Sequence, residues 1–171
     1  MSALGAACVV WISGLPSSGK STFARKLSER LRQSAVPHCV LDGDEVRKAL
    51  HPTPGYGPEA RADFYDTLVD LAVLLAGQDL VVLVAATAGL NTYRERARQR
   101  APRYLEVEVS TALEECERRD SKGLYAAARA GRVDDVPGVS APYERAENPD
   151  IVATGGKDEA ALAQAQARLG A

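Results

Sequence analysis

The sequence predicts an α/β fold in three layers, a mostly parallel sheet with helices on both faces, and three observations carry that expectation. Apolar strand-like runs alternate with helical patterns along the chain, as βαβ units do. Leu80–Ala85 is continuously apolar, as a strand covered on both faces must be. Cys8-Val9-Val10-Trp11-Ile12 passes through a glycine-rich turn into helical spacing at Phe23, Leu27 and Leu31.

That turn, Gly14-Leu15-Pro16-Ser17-Ser18-Gly19-Lys20-Ser21, fits G-x-x-x-x-G-K-[ST] between a strand and a helix, the context that gives the pattern a mechanism. Its backbone N–H groups and the helix N-terminus suit phosphate oxygens. Lys20 is expected on the β- and γ-phosphates, Ser21 on Mg²⁺ and Thr22 on the next phosphate of a nucleoside triphosphate.

Pro37 then breaks the chain, and His38–Leu41 reads as the second strand. A Pro/Gly-rich loop from His51 to Pro58 leads to a long helix with Phe64, Leu68, Leu71 and Leu75 on one face and Gly77 as its stop. The Leu80–Ala85 strand is followed by an Arg-rich helix over about residues 92–101, ending before Pro102. Its arginines read as a solvated surface. Tyr104–Val109 is the next strand, and Thr111 is placed to cap a helix over Ala112–Arg119. Ile151–Ala153 reads as a short last strand, and the Ala/Gln-rich tail from Asp158 as a closing helix. The irregular stretch of about residues 120–149 is long for a mere connection and is expected to be a lid over the site.

With 171 residues, 46% of them hydrophobic, one domain over 1–171 is expected. A formal net charge of −2 offers no basic field for nucleic acid, and no apolar run is long enough to span a membrane. Met1–Gly5 has no basic region of the kind a signal peptide carries, so the cytoplasm is the expected compartment. Cys8, Cys39 and Cys116 are too few for a disulfide framework or a zinc site and read as small buried hydrophobes. His38 and His51 lack metal-ligand spacing.

Two further strings carry chemistry. Leu41-Asp42-Gly43-Asp44-Glu45-Val46-Arg47 sits at the carboxyl end of the second strand and reads as a tight turn. From it, one carboxylate can orient Mg²⁺-bound water and the other can accept a proton from an attacking hydroxyl, with Arg47 over a substrate anion. Arg118, Arg119 and Lys122 cluster at the start of the lid. There they either stabilise phosphoryl charge and clamp nucleotide, or simply complement a helix end.

Together these strings resemble the adenylylsulfate kinases, a family of small P-loop kinases. The resemblance also rests on Glu114–Asp120, Lys122-Gly123-Leu124-Tyr125, Ala128-Arg129-Ala130-Gly131 and Pro142-Tyr143-Glu144, and it covers nearly the whole chain. It implies ATP and Mg²⁺, a homodimer, and phosphorylation of the 3′-hydroxyl of adenosine 5′-phosphosulfate (APS). It further implies Asp44, with Asp42, near the acceptor hydroxyl, and Arg47, Arg61, Lys122 and Leu124 on the acceptor. The chain departs from the family on the acceptor side. Phe64 stands where the family has Asn, Ala88-Gly89 where it has Ser-Pro, Asn91 where it has Arg, and Val136 in place of a lid Phe. Tyr56 keeps a partner aromatic. A same-family kinase with an altered acceptor is therefore the alternative. A nucleotide-binding module without catalysis is disfavoured by the retained Lys20, Asp42 and Asp44. A gluconate- or shikimate-type kinase is disfavoured by the Lys-Gly-Leu-Tyr string.

Overall fold

A computed structural model describes residues 7–171; Met1–Gly5, where no signal peptide was expected, lie outside them. Five strands form a parallel sheet in the order β2-β3-β1-β4-β5. They are β1 (Cys8–Ser13), β2 (His38–Asp42), β3 (Val81–Ala85), β4 (Tyr104–Val109) and β5 (Ile151–Ala153). Seven helices accompany them among the described residues: α1 (Lys20–Gln33), α2 (Gly43–Ala49), α3 (Pro58–Ala76), α4 (Asn91–Arg100), α5 (Leu113–Arg119), α6 (Leu124–Arg129) and α7 (Glu159–Arg168).

The pleat of β1 sorts the core into two layers. Val10 and Ile12 pack with Phe23, Leu27 and Leu31 of α1 and Leu162 of α7. Val9 and Trp11 face the other way, onto Phe64, Leu68 and Val69 of α3 and Tyr93 of α4. The side chains of β1 are therefore buried on both faces, and its carboxyl end, flanked by β3 and β4, delivers Gly14 to the sheet's ligand-binding edge. Pro58 opens α3 at a position where its missing N–H costs nothing.

Several expectations change. The Asp42-Gly43-Asp44 string is the start of a helix rather than a tight turn: Asp42 caps α2 by accepting from the Asp44 N–H at 3.0 Å. The stretch of about residues 120–149, expected as an irregular lid, contains α6, whose Tyr125 and Ala126 N–H groups both donate to the Asp120 carboxylate. Thr111 does not cap α5. Ala112 holds that position without a side-chain bond, and Thr111 Oγ1 donates instead to the Ser18 carbonyl at 2.7 Å. The buried face of α3 runs through Phe64, Tyr65, Leu68, Val69, Ala72 and Ala76, so Leu71 and Leu75 sit at its margin. Cys8 and Cys116 are fully buried, and burial pushes the Cys8 thiol up to about 11, whereas Cys39 on the edge strand is only half-buried. His38 is structural: its Nδ1 donates to the Val36 carbonyl and its Nε2 accepts from Ser28 Oγ, each at 2.8 Å.

The arginines of α4 are not one solvated surface. Arg96 and Arg100 pair with Asp66 and Asp70 of α3, but Arg94 is 2% exposed. Its guanidinium bonds the Ala88 carbonyl, the Asn91 side chain and the Glu144 carbonyl, and its Nε lies 3.0 Å from Glu106 Oε1. The Nε–Oε1 contact is an ion pair out of line for a hydrogen bond. Burial raises the Glu106 pKa against the pull of Arg94 and Arg98. Arg94→Ala is expected to cost about 3 kcal/mol, because it leaves a buried carboxylate and two carbonyls under-served. Arg96→Ala should stay within about 1 kcal/mol, its pair being exposed. Urea unfolding of both variants checks this.

Candidate active site

The loop between β1 and α1 is held from behind by its own backbone and by neighbours. Ser18 N–H donates to the Leu15 carbonyl at 3.1 Å, Thr111 fixes the Ser18 carbonyl, and Tyr125 Oη donates to the Pro16 carbonyl at 2.8 Å. Ser17, at φ +61°, faces Ser121 across 3.4 Å. Lys20 turns its ammonium back onto the Leu15 carbonyl at 2.7 Å. Desolvation lowers its pKa to about 8, opposed by the nearby Asp44 and Asp42.

Gly19 and Gly156 meet in a way no side chain allows. A Cβ on Gly156 would lie 2.5 Å from the Gly19 carbonyl oxygen, and one on Gly19, at φ +109°, would lie 2.7 Å from the Gly156 nitrogen. The β5–α7 loop is thereby pressed against the start of α1. Together they line a cleft of ≈ 510 Å³ with Thr22, Arg119, Thr154, Gly155, Lys157 and Asp158. The sequence reading missed this loop; its signal was the Gly155-Gly156 pair just beyond the last strand, at the carboxyl edge of the sheet. A cleft of ≈ 750 Å³ between α4 and Glu147-Asn148 lies away from the loop that carries Lys20.

Opposite the cradle, Ser21 Oγ donates to Asp42 Oδ2, while the other Asp42 oxygen caps α2. Asp44 pairs with Lys122 from the lid. Lys20, Ser21, Asp42, Asp44 and Lys122 thus come together in one cluster. Ser21 and Asp42 offer hard oxygen atoms, and no cluster of three or more acidic, His or Cys ligands occurs among the described residues. That fits Mg²⁺, which takes one or two protein oxygens and completes its shell with phosphate and water.

Other residues fall differently. Arg119 reaches the Ser18 carbonyl at 3.4 Å, but Arg118, 77% exposed at its side chain, only pairs with Glu115. Arg47 is buried at 6% exposure instead of lying open over an anion site. Its guanidinium lies over both the Tyr56 and Phe64 rings, and its Nη1 bonds the Pro54 and Gly55 carbonyls. Phe64 is core and platform at once. Arg61 ties α3 to the lid through the Asp135 carbonyl at 2.7 Å. Val136 does not line an open pocket: it is 1% exposed among Leu15, Cys116 and Tyr125, with Leu124 against the same cluster. Ala88 is fully buried at φ +43°, its N–H donating to Tyr65 Oη.

A family model described as adenylylsulphate kinase matches residues 6–154. The chain belongs to the adenylylsulphate kinase family. It is 39% identical to an adenylyl-sulfate kinase of Prochlorococcus marinus, with 88% of this chain and 76% of that protein aligned. It is 41% identical to one from an Enterobacter species, covering 84% and 72%. The structure superimposes on an APS kinase of Mycobacterium tuberculosis in complex with AMPPNP and APS, with a TM-score of 0.84, 38% identity and 95% of each chain covered. The protein is thus an ATP-dependent kinase.

Two outcomes follow from this geometry. Lys20 is charged below about pH 8 and loses its proton as the pH rises through that value, well before its unfolded counterpart near 10.5. ATP binding needs the ammonium, so affinity at pH 9 is expected to be about tenfold below that at pH 7. Calorimetry in two buffers should show proton uptake at pH 9 and none from Lys20 at pH 6.5. Gly156→Ala should weaken ATP binding at least about tenfold by pushing the loops apart, measured by nucleotide titration.

Proposed function

We propose that the protein transfers the γ-phosphate of ATP to the 3′-hydroxyl of APS, in the cytoplasm, as one kinase domain that pairs into a homodimer. The observation that carries this reading is the Asp44 carboxylate, held by the Asp42-capped turn of α2 beside the ATP cradle and touched by a lid lysine. The likeness to an APS kinase bound to AMPPNP and APS supports it.

Mg²⁺, held by Ser21 with Asp42 nearby, would neutralise phosphate charge and orient the triphosphate. Lys20 would leave the Leu15 carbonyl for the phosphates, and Arg119 would guard the nucleotide cleft. When the acceptor enters, Lys122 would exchange Asp44 for the acceptor's anionic end. Asp44 is then free to take the hydroxyl proton as the acceptor oxygen bonds to the γ-phosphorus and the β–γ bridging oxygen leaves with ADP. Arg47, Arg61 and Lys122 supply positive charge on the acceptor side, and the exposed Tyr56 ring offers a flat face to the adenine.

A second reading, another anionic alcohol as acceptor, is favoured by one observation: Val136, an aliphatic residue where a lid Phe was expected, is buried among Leu15, Cys116 and Tyr125 and supplies no ring to pair with Tyr56. A coupled ADP-release assay over a panel of nucleotide and metabolite alcohols decides between the two. The expected outcome is turnover with APS; silence with APS and turnover with another alcohol would transfer the assignment to that alcohol. In the best acceptor, Asp44→Asn should lower kcat by about 10²-fold or more with the ATP KM little changed. An undiminished rate would remove Asp44 as the base.

A further inference from the structure

Arg47 is an unusual arginine for a binding site, because most of its guanidinium is already in use. Its Cζ lies over the Phe64 ring, 3.8 Å from the centroid, and over the Tyr56 ring, 4.5 Å from the centroid. Nη1 donates to the Pro54 and Gly55 carbonyls at 3.2 and 2.7 Å. Two rings and the carbonyls on one nitrogen thereby fix it. No protein group among the described residues accepts from Nε or Nη2, so one edge of the fork keeps its donors for a ligand.

Phe64 itself cannot move aside. It is 3% exposed, stands one helical turn from Arg61 on α3, and meets Tyr65 edge-on at 5.4 Å. Tyr65 in turn accepts from the N–H of Ala88, in the loop that follows β3. The ring is therefore a rigid part of α3, anchored on one side to the core and covering the guanidinium on the other. Burial lowers the Arg47 pKa, the cost of placing a cation there, and the attraction of two ring faces offsets it.

We propose that Phe64 is a positioning residue for the acceptor: by clamping the Arg47 guanidinium against Tyr56, it holds the free Nε/Nη2 edge ready for the acceptor's anionic group. A flexible arginine must lose rotamer freedom each time it captures an anion, whereas a clamped one has already lost it. The proposal rests on the reading of Arg47 as an acceptor ligand and adds that Phe64 sets how tightly the acceptor is held, without touching the reacting atoms.

The test uses the full chain with Phe64→Leu, Phe64→Tyr, Arg47→Lys and the Phe64→Leu/Arg47→Lys double variant. Phe64→Leu is expected to raise the APS KM about tenfold, with kcat and the ATP KM within about twofold. Phe64→Tyr, which keeps the ring, should restore the APS KM to within about twofold of wild type. In the Arg47→Lys background, Phe64→Leu should add less than about twofold, since the residue acts through Arg47. Additive effects, or equal changes in both KM values, would overturn the proposal. If thermal scans show Phe64→Leu unfolded, Phe64→Met serves in its place. Wild-type turnover of APS tests the acceptor reading by itself. If there is none, the Arg47 Nε–H resonance decides the clamp: ring faces shift it upfield, and a shift unchanged in Phe64→Leu overturns it.

Discussion

One carboxylate, that of Asp42, holds the halves of the site in register. It is the last residue of β2, the cap of α2 and the acceptor of the Ser21 hydroxyl. β2 and β1 are not neighbours, because β3 lies between them. The bond to Ser21 therefore spans the width of a strand and ties the first turn of α1 to the far side of the cradle. Ionised acceptors make the stronger hydrogen bonds, and a cap of this kind is worth about 1 kcal/mol to its helix. Asp44 depends on both contacts, since it is delivered by the helical turn that Asp42 begins.

The two sides of the site are built from different materials. Around Lys20 and Arg119, the side proposed for ATP is largely backbone and small residues: the Ser18 and Pro16 carbonyls are pinned from behind, and two glycines bring the β5–α7 loop against α1. Such a surface needs little rearrangement to receive phosphates. The side proposed for the acceptor is made of long cationic side chains that already have protein partners. Arg61 holds the Asp135 carbonyl, Lys122 holds Asp44, and Arg47 is stacked. The proposed acceptor would exchange contacts at Arg61 and Lys122 and add them at the free edge of Arg47, so its affinity depends on how well each exchange balances.

The sheet and the cradle were readable in the residues because their signals are long or local. A continuous apolar run marks β3, and a strand followed by a phosphate-loop pattern marks β1 and α1. The helices that went unread, α2 and α6, have seven and six residues and open at Gly43 or just after Gly123. Two turns give periodicity too little length to show, and glycine there reads as a turn. Thr111 and Arg94 were misjudged for a different reason. Each has a residue type suited to the surface role expected of it, but tertiary contacts with the Ser18, Ala88 and Glu144 carbonyls claim it instead. Arg47 follows the same rule. Its charge was legible, but the rings of Tyr56 and Phe64, nine and seventeen positions further along the chain, came together only in the fold.

Trp11 is the sole indole in the sequence, and it lies fully buried in the central strand, just ahead of Ser13 and the phosphate loop. The chain therefore carries its own optical probe, buried in the middle of the sheet. Its fluorescence reports the integrity of the sheet's middle, so a loss of blue-shifted emission signals rupture of the scaffold rather than opening of the site above.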